Sequence, residues 1–379
     1  MECRVRLGDV VKVVKRGVKP EPGIVYRHYS LPAFDNGMRP EKVDGDTIRS
    51  SKLVVFPNTI LMNKLNVRFK RVWPVLECND RSIASTEFMP LKVEGADYWY
   101  IYYYLISPAL TSLIEGMRTG TSGSHQRIDA SSFLGIQIDL PSLKNQEAIG
   151  RILRAFDEKI ELNNRINDYL AAVCDSVAES LGVDGSSVLS DMCSQTSAKI
   201  ACSAASPESY VSTESLLPNK GGRQLASSLP TTGKVTSYQA GDTLVSNIRP
   251  YFKKIWYADR EGTCSGDVIV FRANEPDFAP YLYSILRSDS FFEHVMAGSK
   301  GTKMPRGDKG QMMRYPVSCN CGEEILKTLA SILDQISLNN RESARMTALR
   351  DSLLPKLMSG EIDVSQIDLT QLNNRLSDC

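Results

Sequence analysis

Twice in this chain, basic side chains crowd an aromatic motif. Lys64, Arg68, Lys70 and Arg71 surround Phe69-Lys70-Arg71-Val72-Trp73, and Arg249, Lys253 and Lys254 surround Phe252-Lys253-Lys254-Ile255-Trp256, with Asn247 in the turn before. Cationic groups beside tight Asn and Pro turns can reach phosphate oxygens and base edges, arginine by a two-pronged bond to guanine. A second pair of loops carries anion-binding chemistry: Gly120-Thr121-Ser122-Gly123-Ser124-His125-Gln126-Arg127 and Gly301-Thr302-Lys303-Met304-Pro305-Arg306. Glycine lets backbone N–H groups approach an anion. Thr121, Ser122, His125, Arg127, Thr302, Lys303 and Arg306 add side-chain donors. Such residues also serve as plain solvated charges on strand edges or helix-ending loops. Their occurrence in duplicate, in the same order, favours DNA contact.

Other chemistries find no footing. The chain has neither a G-x-x-x-x-G-K-[ST] phosphate loop nor a G-x-G-x-x-G turn after a strand. No Asn/Asp-Pro-Pro-aromatic tetrapeptide of adenine methyltransferases occurs. His28, His125 and His294 are scattered, with no readable Ser/Asp or Cys partner. Cys319-Asn320-Cys321 lacks the second close ligand pair of a tetrahedral metal site. The expectation is a binding protein without metal or catalytic residues. The odd count of 9 cysteines, irregularly spaced, fits reduced thiols in a cytoplasmic protein. No apolar run approaches a membrane span, and Met1-Glu2-Cys3-Arg4 opens no secretory signal. A net charge of +1 permits a nucleic-acid partner without requiring one.

The elements that position these residues are also repeated. The 379 residues suffice for two cores. Tyr100-Ile101-Tyr102-Tyr103-Tyr104-Leu105-Ile106-Ser107 recurs as Tyr281-Leu282-Tyr283-Ser284-Ile285-Leu286-Arg287-Ser288, and Leu162-Asn163-Asn164-Arg165 recurs as Leu338-Asn339-Asn340-Arg341. The copies keep their order about half a chain apart, so the chain contains an internal repeat. Strands are expected at 53–56, 59–62, 71–73, 88–93, 243–245, 255–257 and 268–271, and short helices at 98–106 and 281–288. The tyrosines of the first short helix could stack on bases. Their largely aliphatic counterparts point instead to core packing.

Two long helices are legible by counting. In the first, Ile149, Phe156, Asn163, Leu170 and Val177 form one heptad row, and Leu153, Ile160, Asn167, Cys174 and Leu181 the row four places on. In the second, the rows are Ile325, Ile332, Asn339, Met346, Leu353 and Leu329, Ile336, Ser343, Arg350, Leu357. A period of seven held over about four heptads predicts a coiled coil. Both seams turn polar at mid-length. A two-fold relation between the halves makes the helices antiparallel and brings Asn163 opposite Asn339, where a polar pair would set helix register. The division expected is a globular unit over 1–141, a helix over 142–181, a second globular unit over 182–317, a helix over 318–360 kinked near Pro355, and a tail over 361–379. The fold class is α+β: two similar mixed α/β domains joined by two long antiparallel helices.

Several of these motifs resemble one known family. Ser246 to Trp256 and Gly301 to Arg306 are similar to target recognition domains of type I restriction–modification specificity subunits. The run from Ile138-Asp139-Leu140-Pro141-Ser142-Leu143-Lys144-Asn145-Gln146-Glu147 to Asp157-Glu158-Lys159-Ile160-Glu161-Leu162-Asn163-Asn164-Arg165 resembles that family's central conserved region. Leu349 to Ile362 resembles its C-terminal end. The resemblance implies a non-catalytic subunit whose two domains each read half of a bipartite, asymmetric site in double-stranded DNA. It also implies paired helices that set the spacer and dock two methyltransferase subunits, completed by restriction/translocase subunits. S-adenosylmethionine, ATP and magnesium would then belong to the partners. The second helix departs from the pattern: Tyr315-Pro316-Val317-Ser318-Cys319-Asn320-Cys321-Gly322-Glu323 replaces the proline- and glutamine-containing start. Two other classes stay open on residues alone: a coiled-coil scaffold with protein-binding heads, and a nuclease with an unreadable motif. Salt-sensitive DNA binding separates the first, and magnesium-dependent cleavage by the isolated chain the second.

Overall fold

The computed structural model describes residues 3–64, 70–116, 128–182, 187–301 and 303–365. They fall into two compact units, one of residues 1–160 with 345–379 and one of residues 161–344. Among the described residues no helix is long and apolar enough to cross a membrane.

In the first unit, strands Val11–Val13, Phe88–Val93, Thr59–Asn63 and Val72–Val75 form a four-stranded sheet in that order. Strict alternation along these strands builds two cores. Ile60, Met62 and Val72 face one way, into a core completed by the Tyr98–Ile106 helix and the ends of the two long helices. Leu61, Trp73 and Val75 face the other way, against Tyr29, Leu53 and Ala84 of a five-stranded sheet. Each large side chain so buried contributes about 1.5–3 kcal/mol. Tyr100, Tyr103 and Tyr104 are buried in the first core, as packing rather than base stacking requires. Pro90 occupies a central strand and still serves it, because its carbonyl accepts from Val14 N–H at 3.0 Å.

The second unit repeats the four-stranded sheet strand for strand and has a companion sheet of four strands where the first unit has five. Cys193–Thr196, Val268–Ala273, Thr243–Ser246 and Ile255–Tyr257 adopt the same order and the same antiparallel pairing. Ile255 enters a helix-side core and Trp256 a sheet-side core, matching Val72 and Trp73. The companion sheets also correspond. Each contains one parallel pair, Val25–Tyr29 with Ser82–Ala84 in one unit and Tyr210–Val211 with Gly262–Cys264 in the other. The reading from sequence located three strands of each four-stranded sheet and missed the edge strands Val11–Val13 and Cys193–Thr196. It missed most of the companion sheets, whose strands are 2 to 5 residues long. Strands that short carry too few alternations to register as a period.

The long helices span Leu143–Leu181 and Glu323–Met358. Pro355 lies inside the second without ending it. The start of that helix is later than the heptad count placed it. In the first unit, Gln146 is buried near the helix start. Its side chain accepts from Asp97 N–H at 2.9 Å and donates to the Pro141 carbonyl at 2.8 Å. The residue at the matching place in the second helix is Gly322, which has no side chain to make such a lock, and the helix begins one residue later. Gly150 serves the same first-unit junction: a Cβ there would lie 2.5 Å from Asp97 Oδ1 and 3.1 Å from Tyr100 N.

Within the second unit the helices are antiparallel. Asn163 Nδ2 lies 3.4 Å from the Asn339 carbonyl, 2.9 Å from Glu342 Oε2 and 3.3 Å from Ser343 Oγ. One turn on, Asn167 Nδ2 donates to Asn340 Oδ1 at 2.9 Å and Asn167 Oδ1 accepts from Asn339 Nδ2 at 2.8 Å. Asn163 and Asn339 are 1% and 6% exposed, so this amide chemistry is shielded from water. Asp259, following the Ile255–Tyr257 strand, anchors that sheet to the second helix by accepting from Ser337 Oγ at 2.9 Å and Arg341 Nε at 3.3 Å. Burial pushes its carboxyl up, but hydrogen bonds from Arg260, Ser337 and Arg341 prevail and hold its pKa at about 2. In the first unit, Asp157 accepts from Tyr103 Oη at 2.6 Å and Arg350 Nη1 at 2.5 Å.

Two predictions arise here. Asn163→Leu removes the buried donor to the Asn339 carbonyl, Glu342 and Ser343 and should cost about 1–3 kcal/mol in denaturant unfolding. Asn339→Leu, which removes the separate bonds to Asn167 and Gln335, should cost a similar amount; single variants as stable as the parent would show that the seam amides do not contribute. Asp259 is a depressed acid, so its stabilisation is complete above the ordinary carboxylate range and fades as pH falls through about 2. Asp259→Asn should therefore lower stability by about 1–2 kcal/mol at pH 7 and by little near pH 2, and an equal loss at both pH values would contradict this.

Candidate nucleic-acid interface

The second unit describes its basic region best. The antiparallel hairpin of Thr243–Ser246 with Ile255–Tyr257 has Asp259 at one end and loop 247–254 at the other. Inside that loop Pro250–Phe252 makes a single 3-10 turn. Arg249 (φ 51°) and Lys253 (φ 49°) bracket the turn in the left-handed region. Each such residue costs of order 1 kcal/mol and persists only where neighbours over-determine the backbone. The neighbours are present. Asn219 and Lys220 donate their N–H groups to the Phe252 and Lys253 carbonyls, both at 2.8 Å. Arg249 N–H donates to the Pro305 carbonyl at 2.8 Å, and Ile248 and Arg306 pair as a β-bridge. Gly307 N–H reaches the Asn247 carbonyl at 3.3 Å. Gly307 also lies where a Cβ would meet Met312 Cε at 2.2 Å and Val295 Cγ1 at 2.7 Å, so a larger residue would have to displace these side chains.

Two motifs some fifty residues apart in sequence thus form one surface. It presents Tyr251 (47% exposed), Phe252 (38%) and Met304 (47%), with exposed Lys303 and Arg306 beside them. Arg306 pairs with Asp267 at 3.0 Å and stays half in solvent. Asn247 Oδ1 and Arg249 Nε are buried without a hydrogen-bond partner among the described residues. An acceptor and a donor on one loop keep unused bonding capacity, which a polar ligand could fill.

Other cations expected to face DNA have partners in the fold. Lys253 Nζ meets Asp289 Oδ1 at 2.9 Å, and Lys220 Nζ meets the same oxygen at 2.8 Å. Hydrogen bonds from Lys220 and Lys253 hold the Asp289 carboxyl at about 2. Asp175, from the first long helix, accepts from Arg287 Nε at 2.9 Å, and Arg287 Nη1 donates to the Lys220 carbonyl at 3.3 Å. Lys254 Nζ donates to the Thr213 carbonyl at 2.6 Å, and partial burial lowers its pKa. In the first unit, Lys70 Nζ donates to the Ile106 and Ser107 carbonyls at 2.8 and 3.3 Å, where the Tyr98–Ile106 helix ends. A cation there complements the helix dipole. Lys253 plays the matching part, since Asp289 opens the chain just beyond the equivalent helix, Ala279–Arg287. Arg71 grips Asp35 with two bonds of 2.7 Å, and these hydrogen bonds raise its pKa. Lys64 is half-buried; its N–H donates to Glu87 and its carbonyl accepts from Ile128, each at 3.0 Å. Arg68, Thr121, Ser122, His125, Arg127 and Thr302 lie outside the described residues. Sequence reasoning missed Asp35, Asp175 and Lys220, which lie far from the basic motifs in the chain, and Arg287 and Asp289, which lie in or beside the 281–288 repeat but carried no sign of pairing. Tyr251 and Phe252 were inside a motif but were passed over for their charged neighbours.

Among the described residues no group of three or more His, Cys, Asp or Glu side chains is placed to hold a metal. Residues 4–172 match the family described as the type I restriction modification DNA specificity domain. A stretch of 107 residues is 27% identical to the type I restriction enzyme HindI specificity subunit of Haemophilus influenzae; it is 28% of this chain and only 23% of that protein's length. Across 94% of this chain and 96% of the other, the fold is similar to the S subunit of a type I restriction–modification system from M. genitalium, at 16% identity and a TM-score of 0.52. Residues 4–172 are thus similar to a type I restriction–modification DNA specificity domain, and nearly the full length has a fold similar to that of the M. genitalium S subunit.

The Arg71–Asp35 pair makes a prediction for the first unit. Arg71→Asp should destabilise the chain by about 1 kcal/mol or more, and adding Asp35→Arg should restore much of it. Unfolding curves unchanged by the single substitution would return Arg71 to the pool of free surface cations.

Proposed function

We propose that this chain is the non-catalytic, sequence-reading subunit of a cytoplasmic type I restriction–modification complex. Residues 1–141 and 182–317 act as its two recognition domains, and each reads one half of a bipartite site in double-stranded DNA. The helical segments 142–181 and 318–360 set the unread spacer and dock two methyltransferase subunits, while restriction/translocase subunits complete the complex. S-adenosylmethionine, ATP and magnesium are held by those partners and none by this chain. Asn163 and Asn339 hold the helices in register.

The observation that carries this reading is the repetition of one strand order in two units whose exposed loop residues differ. Identical frames with different tips suit a ligand whose two halves differ. In the second unit, Asn247, Arg249, Lys303 and Arg306 are the proposed DNA contacts, while Lys253 and Lys254 hold the loop. Lys64, Arg68, Thr121, Ser122, His125, Arg127 and Thr302 remain proposed contacts, and Lys70 and Arg71 stand to the first unit as Lys253 and Lys254 stand to the second.

The test is to map methylated adenines in cells expressing this chain with its methyltransferase. The expected motif is two short specified blocks flanking an unspecified spacer. Removing one heptad from each long helix shortens each by about 10 Å, so the spacer should contract by about three base pairs. A motif without a gap, or a spacer indifferent to helix length, would overturn the proposal.

A further inference from the structure

The two copies of the basic loop agree and differ in a telling pattern. Lys70 and Lys253 match, as do the cationic Arg71 and Lys254, and these are the side chains tied to backbone carbonyls or carboxylates of their own units. The copies diverge just before them: Asn66-Val67-Arg68 stands in the first where Arg249-Pro250-Tyr251 stands in the second. In the second unit those diverged positions form the strained tip, with Arg249 left-handed and Tyr251 47% exposed. The shared cations build the loop, while Tyr251, the most exposed aromatic of the tip, stands at a position the copies do not share.

We infer that Tyr251 is a specificity-determining residue that reads a base, carried on a platform of Phe252, Arg249 and Lys303. This rests on the DNA-reading function proposed above. Tyr251 and Phe252 have ring centroids 4.6 Å apart at 51°, so each limits the other's rotamers. An exposed aromatic pair is costly to leave in water and unusual at a loop tip unless something covers it. Nucleobases suit it: their faces stack on aromatic rings, a thymine methyl packs against them, and the tyrosine hydroxyl can bond a base edge. The surroundings fit an anionic partner, since the loop bonded to Ile248 and Arg249 carries the exposed Lys303 and Arg306. Both ends of the tip are fixed, by the Phe252 and Lys253 carbonyls at one end and by the Arg249 N–H at the other. A base contact made by a loop so held pays little ordering entropy on binding.

The test compares Tyr251→Ala, Tyr251→Phe and Phe252→Ala in the full chain with its methyltransferase, by methylation mapping and by equilibrium binding to duplexes over a range of salt. For Tyr251→Ala, one half-site of the motif should lose information at one or two positions while the other half stays intact. Affinity for the parent motif should fall roughly tenfold, with the salt dependence unchanged and binding to unrelated DNA unaltered. Tyr251→Phe keeps the ring pair and should fall between; Phe252→Ala should weaken the same positions. Unchanged motif and affinity in Tyr251→Ala, or an equal loss on cognate and unrelated DNA, would overturn the inference. So would weakening of both half-sites together. If the parent chain yields no bipartite motif, it is the proposed function that has failed.

Discussion

Within the second unit the long helices meet through a few amide hydrogen bonds inside an apolar seam. Apolar contacts alone would tolerate a slip of one heptad, because Ile, Leu and Met fill equivalent rows on both helices. Asn163 and Asn339 do not tolerate it, since a slip would leave their buried amides without partners. Everything downstream inherits that choice. Asp259 fastens the recognition hairpin to Ser337 and Arg341 on the helix, and Asp175 fastens Arg287, which in turn holds the Lys220 carbonyl. Lys220 then supports the backbone of loop 247–254. A chain of polar contacts thus leads from helix to loop within the second unit.

The same unit shows how charge is divided. Several cations beside the loop neutralise carboxylates or cap carbonyls, and their service is to hold a strained backbone. Left-handed Arg249 and Lys253 could not persist on a mobile loop. With the loop fixed, two aromatic rings and the remaining cations stand out from it. A surface of this kind offers specific groups at fixed positions rather than a large net charge, which agrees with a chain whose overall balance is only +1.

Much of this was legible beforehand, for identifiable reasons. The long helices announced themselves because a period of seven sustained over many residues has few rivals. Three strands of each four-stranded sheet were found because segments such as Thr59–Asn63 and Val268–Ala273 are runs rich in apolar residues bounded by turns; the short edge strands Val11–Val13 and Cys193–Thr196 were not. The companion sheets escaped because pairings such as Val25–Tyr29 with Ser82–Ala84 join segments too short to carry a pattern and far apart in the chain. The late start of the second helix escaped because Gly322 replaces an anchoring glutamine, and a heptad count does not register a missing lock. At the site, the motifs were visible, yet a lysine that binds phosphate and a lysine that caps a helix are written with the same letter.

What the sequence determined by itself was the repeat, the seam and the alternation of buried faces. These are periodic properties, set by the geometry of helix and strand and so readable in one dimension. What only the tertiary structure decided was the employment of each charged side chain. Whether Lys253 meets Asp289, or Arg71 meets Asp35, depends on chain segments brought together by folding across tens of residues. Electrostatic partners are chosen by distance in space, and no local pattern in the chain encodes that distance.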